Sequence, residues 1–233
     1  DYTEECGTTI EEQNSLLEDV KKLLKQKEIL IIETKADLMH IEEKELQEYK
    51  SLETNLNFEE FDITKIKFIR NDKTGNIMIS TKENFGLDSL KYFMINKITA
   101  WIKNYCSENS IKSLVVGISG GIDSSVVSTL CAKTGLEVFA VSMPINQIKS
   151  LHDLSLAHGE WLTKNFNNVN HMVIDLSNLY REFNNSLRYF DSEHAFANSK
   201  SRLRMVALHQ ISGAKKGIVV GTGNKVEDFG VGF

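Results

Sequence analysis

The run Gly117-Ile118-Ser119-Gly120-Gly121-Ile122-Asp123-Ser124-Ser125 constrains this chain more than any other feature. It follows Ser113 to Ile118, a short apolar stretch of the kind that forms a buried parallel strand, and it leads into a helical pattern from Ser124 to Ala132. Paired glycines let backbone approach a bound anion, and a helix amino terminus offers unpaired N–H groups and a favourable dipole. Ser119, Ser124 and Ser125 add hydroxyls. Asp123 would repel a bare phosphate, so its presence argues for a bridging Mg²⁺ ion. No Gly-Lys-Ser/Thr closes the run, which excludes a Walker A loop, and the glycine spacing is not that of a dinucleotide fingerprint. The bland alternative, a glycine turn with Asp123 and Ser124 as helix caps, is disfavoured by the strand–loop–helix placement.

The rest of the chain fits a parallel sheet. Glu137 to Met143, Val169 to Leu176 and Gly217 to Gly221 read as further strands, separated by helices near Asp153 to Asn165 and Ala197 to Ile211. Such alternation implies an α/β fold, a parallel sheet with helices on both faces. Upstream, Thr9 to Lys25 has apolar residues at helical spacing, with Thr8 or Thr9 as cap and Glu11 and Glu12 in the first turn. Glu28 to Glu33 reads as a buried strand, Ile41 to Glu53 as a charged helix and Asn76 to Ser80 as a second strand. Leu87, Leu90, Met94, Ile98, Trp101, Ile102 and Tyr105 form one apolar stripe on a long helix.

Composition narrows the class. With 233 residues, 41% of them hydrophobic and 25% charged, the chain is too apolar for intrinsic disorder, and its net charge of -5 gives no basic surface for nucleic acid. No apolar run is long enough to span a bilayer and no signal peptide opens the chain. Cys6, Cys106 and Cys131 lack metal-ligand spacing and read as reduced thiols of a cytoplasmic protein. His152, His158, His171, His194 and His209 likewise have no mutual metal spacing.

Ser119-Gly120-Gly121-x-Asp123-Ser124 resembles the pyrophosphatase-type loop (PP-loop) of adenine nucleotide alpha hydrolase-like enzymes, which cleave ATP between its α- and β-phosphates. That group includes GMP, asparagine, argininosuccinate and NAD synthetases and tRNA-thiolating enzymes, and the loop alone does not choose among them. Two later segments do. Ala197-Asn198-Ser199-Lys200-Ser201-Arg202-Leu203-Arg204-Met205 sets two arginines two apart, so a helix points them in different directions. Gly221-Thr222-Gly223-Asn224-Lys225-Val226-Glu227-Asp228 puts a hydroxyl, an amide and two carboxylates just past a strand, where open α/β sheets bind ligands.

Together with Met143-Pro144-Ile145, these segments make residues from about Ile98 to Phe233 similar to ammonia-dependent NAD synthetase. The resemblance implies ATP-dependent amidation of deamido-NAD by ammonia through an adenylated carboxylate, with ATP and Mg²⁺ required and a homodimeric enzyme. It assigns the ATP phosphates to Gly117, Ile118, Ser119, Gly120, Gly121, Ile122, Asp123, Ser124 and Ser125, a further ATP contact to Thr222, deamido-NAD to Arg202, and magnesium to Asp123 and Glu227. No residue is assigned as a catalytic nucleophile. The family continues into a Lys-Tyr-Gly-Asp segment that this chain lacks, so the expectation is a site incomplete at its carboxyl end and inactive as this piece alone.

The amino-terminal part resembles another family. Thr34-Lys35-Ala36-Asp37 is similar to the guanine-specificity motif of GTPases, and Ser80-Thr81-Lys82 to their later Ser-Ala-Lys element. With Asp1 to Gly7, these residues resemble the nucleolar GTP-binding proteins and their archaeal relatives. The resemblance implies a partial P-loop GTPase segment, 1–97, in which Thr34, Lys35 and Asp37 contact guanine, joined to a synthetase domain, 98–233. Without a Walker A loop, no useful GTP affinity is expected. The absence of an initial methionine suggests an internal fragment of a fused polypeptide. Two alternatives stay open: another PP-loop ATP pyrophosphatase that amidates or thiolates a different acid, and a GTP-binding assembly factor whose second domain only binds nucleotide.

Overall fold

A computed structural model describes residues 7–25, 29–38, 43–54, 76–146, 149–190 and 192–224. The chain divides into two compact units, Asp1–Lys97 and Ile98–Phe233.

In the first unit, helix α1 (Ile10–Leu23) begins with a capping box. The Thr9 hydroxyl accepts from the backbone N–H of Glu12 at 3.2 Å, and the Glu12 carboxylate accepts from the Thr9 N–H at 2.8 Å. Two helix-end N–H donors are thereby satisfied reciprocally. Strand β1 (Ile32–Glu33) pairs in parallel with β2 (Ile77–Met78), Ile32 opposite Ile77. The expected buried strand at Glu28–Glu33 is corrected here: only two residues pair, and Leu30 and Ile32 are exposed, because two short strands cover little of each other. Glu28 itself lies outside the described residues. A 3₁₀ turn (Ala36–Leu38) and helix α2 (Glu43–Thr54) follow β1. The core of this unit is Ala36, Ile77, Met78, Ile79 and Phe85, with Tyr49, Leu87, Leu90 and Phe93 against it.

Helix α3 (Leu87–Glu108) carries the chain into the second unit. The single stripe expected along it is not what is buried. Met94, Trp101 and Tyr105 are exposed, Trp101 by 67%, whereas Thr99 and Cys106 are buried and Ile102 is half-buried. The helix serves two cores, Leu87, Leu90 and Phe93 in one and Ile102 and Cys106 in the other, so no one face is apolar throughout.

The second unit is a four-stranded parallel sheet of β3 (Ser113–Gly117), β4 (Glu137–Ser142), β5 (Val169–Val173) and β6 (Gly217–Val219), in the order β5-β4-β3-β6. Four helices accompany it: α4 (Ile122–Lys133), α5 (Lys149–Asn165), α6 (Ser177–Ser186) and α7 (Glu193–Ala214). Side chains of β3 alternate between two cores, as the period of a strand requires. Leu114 and Val116 face a cluster with Cys106, Cys131 and Leu162, on the side of α4 and α5. Val115 faces the other, with Tyr180, Leu203, Leu208 and Ile211 from α6 and α7. Helices therefore cover both faces, as continuous apolar strands demand.

Beginning from β3, successive strands run outward through β4 to β5, and β6 then returns to the opposite side of β3. The strand order reverses at β3, and the crevice outside the carboxyl ends of β3 and β6 is where a sheet of this kind binds ligands. The phosphate-type loop sits there.

Candidate nucleotide site

Ile118 extends the β3 ladder, its N–H donating to the Val141 carbonyl at 2.9 Å, before the chain turns. Gly120 has φ +89°, and a Cβ there would meet the Leu151 carbonyl at 2.5 Å, so only glycine fits between the loop and α5. Gly121 then caps α4 without any side chain, leaving the head of the helix open.

The serines divide by role. Ser124 is buried, and its hydroxyl donates to the Gly121 carbonyl at 3.0 Å. That proton is then spent, so in the 3.1 Å contact between the Ser119 and Ser124 hydroxyls Ser119 is the donor. Ser125 also donates to the Gly121 carbonyl, at 3.0 Å. Ser124 and Ser125 hold the turn, while Ser119, exposed, lines the cleft. Ile122 is 75% exposed. Asp123 is also exposed, in the first turn of α4, with no hydrogen bond or ion pair among the described residues. A carboxylate free of protein partners beside open N–H groups suits a hard cation shared with a phosphate. No cluster of three or more metal-ligating side chains occurs among the described residues. Glu227, the other expected magnesium ligand, lies outside them.

A cleft of about 370 Å³ opens at the strand-order reversal. The phosphate loop contributes Gly117, Ile118 and Ser119 to it; the segment after β6 contributes Gly221 and Thr222; Met143 and α7 close the sides. The two segments singled out in the sequence thus line one cavity, from ends of the loop and β6 regions about a hundred residues apart.

The arginines are placed differently from one another. Arg202 is exposed, bonds to the Asn198 carbonyl of its own helix at 3.2 Å and does not line the cleft. Arg204 does line it, with Nε donating to the Met143 carbonyl at 2.9 Å. Burial disfavours the charge of Arg204, and no acidic partner offsets it among the described residues. A half-buried guanidinium of this kind remains cationic and suits an anionic ligand. Sequence reasoning missed Arg204, because two arginines two apart are equivalent until the packing of α7 is known.

Burial disfavours the thiolate form of both described cysteines. Cys106 and Cys131 are buried and free, and burial pushes the Cys131 thiol up to about 12. Cys6 lies outside the described residues.

In the first unit, the Asp37 carboxylate accepts from the Ser80 hydroxyl at 2.5 Å and lies 3.9 Å from Lys82 Nζ. The two motifs resembling GTPase elements therefore meet at one corner. Lys35 has φ +58° and Thr34 is exposed.

Comparison with known proteins bears on both units. The family profile described as NAD synthase matches residues 94–233, and that of nucleolar GTP-binding protein 1 matches residues 1–37. The NH(3)-dependent NAD(+) synthetase of Thermococcus sibiricus is 30% identical over 136 residues, covering 58% of this chain and 51% of the relative. That of Methanocaldococcus jannaschii is 32% identical over 146 residues, covering 60% and 54%. The chain thus spans about half the length of the curated relatives it matches. Among solved structures, NMN synthetase from Francisella tularensis superposes with a TM-score of 0.53 at 30% identity, covering 57% of this chain and 54% of the other. The NH3-dependent NAD synthetase from Campylobacter jejuni gives 0.51 at 30%, covering 57% and 56%.

Proposed function

This chain belongs to the NAD synthase family through residues 94–233, and from that premise we propose that it carries the ATP-binding part of an enzyme that amidates deamido-NAD with ammonia. The observation that carries the proposal is the convergence of the Gly117–Ser119 loop and Gly221–Thr222 on one cleft at the strand-order reversal.

The chemistry follows from the substrate. A carboxylate is a poor electrophile. Its oxygen attacks the α-phosphorus of ATP, the bond to the β-phosphate oxygen breaks and pyrophosphate leaves. Ammonia then adds to the carbonyl carbon of the mixed anhydride, loses a proton, and AMP departs with the former carboxylate oxygen. The protein's share is positioning and charge neutralisation, and no side-chain nucleophile is needed. In this proposal the loop N–H groups and the head of α4 hold the phosphates, with Gly117, Ile118, Ser119, Gly120, Gly121, Ile122, Asp123, Ser124 and Ser125 forming the cradle and Thr222 adding a hydroxyl. Asp123 and Glu227 hold Mg²⁺, which when bound neutralises phosphate charge. Arg202, exposed on α7, remains available to deamido-NAD.

The likeness to an NMN synthetase favours a second reading in which the acid is the corresponding mononucleotide. One experiment decides between them. The full-length gene product is incubated with ATP, Mg²⁺, ammonia and either deamido-NAD or its mononucleotide. We expect NAD, AMP and pyrophosphate in equal amounts with deamido-NAD. Product only from the mononucleotide would transfer the assignment to it, and release of ADP or no product from either acid would overturn the function.

A reducing, cytoplasmic setting agrees with the free thiols of Cys106 and Cys131. No helix among the described residues is long and apolar enough to cross a membrane. A homodimer with no nucleic-acid partner completes the proposal. Residues 1–97 are proposed as a GTPase-like segment in which Thr34, Lys35 and Asp37 form the guanine corner, supported by the match over residues 1–37.

A further inference from the structure

Two histidines behind the phosphate loop have no part in this chemistry, and their hydrogen bonds have a direction. His171 Nε2, on β5, is 2.9 Å from Ser142 Oγ at the end of β4. Ser142 Oγ is 2.6 Å from Ser155 Oγ on α5, and Ser155 Oγ is 3.0 Å from the carbonyl oxygen of Ile118 in the phosphate loop. A hydroxyl has one proton and a carbonyl can only accept. Ser155 therefore donates to Ile118, Ser142 must donate to Ser155, and His171 must donate from Nε2 to Ser142. His158 repeats the arrangement. Its Nε2 is 2.8 Å from Ser128 Oγ, which donates to the Ser125 carbonyl in the first turn of α4 at 3.1 Å.

We propose that His171 and His158 are positioning residues, each an Nε2–H donor that fixes the phosphate loop and the head of α4 through a serine. The inference rests on the assignment of Gly117–Ser125 as an ATP-binding loop.

Three observations support it. Ser142 and Ser155 are 1% and 2% exposed, so water does not compete for the relay. Gly159 on α5 leaves room for the ring: a Cβ there would collide with His171, which accounts for a glycine inside a helix. Burial holds both histidines below their ordinary pKa, so each is neutral near pH 7 with a single N–H to give. The effect on the loop is electrostatic. An Ile118 carbonyl turned into the cleft would repel a polyphosphate; the relay ties that oxygen to a buried serine that does not line the cleft.

The test uses the intact protein. Calorimetric ATP binding and steady-state kinetics are compared for wild type, Ser155→Ala, His171→Leu and His171→Gln. We expect ATP affinity and KM to worsen about tenfold in Ser155→Ala and His171→Leu, as a slightly misplaced loop would give. KM for the carboxylate substrate should stay within about twofold, and His171→Gln, which keeps an N–H donor, should recover most of the loss. Unchanged ATP affinity in both disrupted variants, parallel losses for both substrates, or a Gln variant as weak as Leu would each overturn the proposal. Long-range proton–nitrogen NMR of the wild type gives an independent check that needs no variant to fold: both rings must carry the proton on Nε2, and an Nδ1–H tautomer at either sinks the idea. ATP binding without formation of the amide would fail the functional assignment while leaving the relay open to the calorimetric test.

Discussion

Asp123 sits at the head of α4 with its carboxylate exposed and without a protein partner among the described residues. Its substitution is therefore expected to separate chemistry from folding. For Asp123→Asn we expect pyrophosphate release to fall by roughly 100-fold or more, since metal-ion stabilisation is worth several kcal/mol, while stability stays within roughly 0.5 kcal/mol, as for other exposed changes. Assay of pyrophosphate beside a denaturant melt checks both. His158 and His171 make a second prediction. Burial lowers both pKa values from the ordinary 6.5. Below that pH the unfolded chain takes up protons that the folded one refuses, so stability falls as pH drops through the window beneath 6.5 and is fully present above it. Thermal melts from pH 8 to 5 should show this loss, reduced in His171→Gln. The role proposed for Asp123 can be proposed from sequence because it depends on neighbours in the same loop. That of His171 cannot, since Ser142, Ser155 and Ile118 come together only in the folded sheet.

At the level of elements, α5 and α7 brace the cleft by different means. Helix α5 presses the Leu151 carbonyl toward Gly120. Gly120→Ala would have to take a left-handed φ and displace that carbonyl, so we expect about 1–3 kcal/mol of lost stability, measured by chemical denaturation, together with weaker ATP binding. Helix α7 is tied to the end of β4 through Arg204 and Met143. Arg204→Leu removes a cation from the cleft and leaves the Met143 carbonyl without that donor; we expect about 1–3 kcal/mol of destabilisation and at least about tenfold weaker ATP binding by calorimetry. The central strands β3 and β4 were legible because each is a nearly continuous apolar run, as a strand covered on both faces requires, whereas edge strand β5 carries Asn170 and His171 and is largely exposed. Helix α6 was not legible: Ser177–Ser186 is only ten residues long, holds three asparagines and buries only Tyr180, so its composition reads as a polar loop. The α3 stripe misled because regular spacing shows that a helix can have an apolar face but not which core, or how many, will take it up.

For the molecule as a whole, the family match begins at residue 94 and the second compact unit at Ile98, and every residue lining the cleft belongs to that unit. Removing residues 1–85 is expected to leave ATP affinity within about threefold, because a unit with its own core folds largely by itself; calorimetry on the shortened chain checks it. The pairing of β3 with β6 joins Ser113 to Gly217 across about a hundred residues. During synthesis the glycine loop emerges long before β6, whose end lines the same cavity. Contacts so distant in sequence form slowly, and a chain still lacking β6 presents half a binding site. On the proposed function, ATP bound in the cleft shared by the loop and the end of β6 stabilises their pairing, so nucleotide capture reports when β6 has joined the sheet and acts as a thermodynamic latch on it.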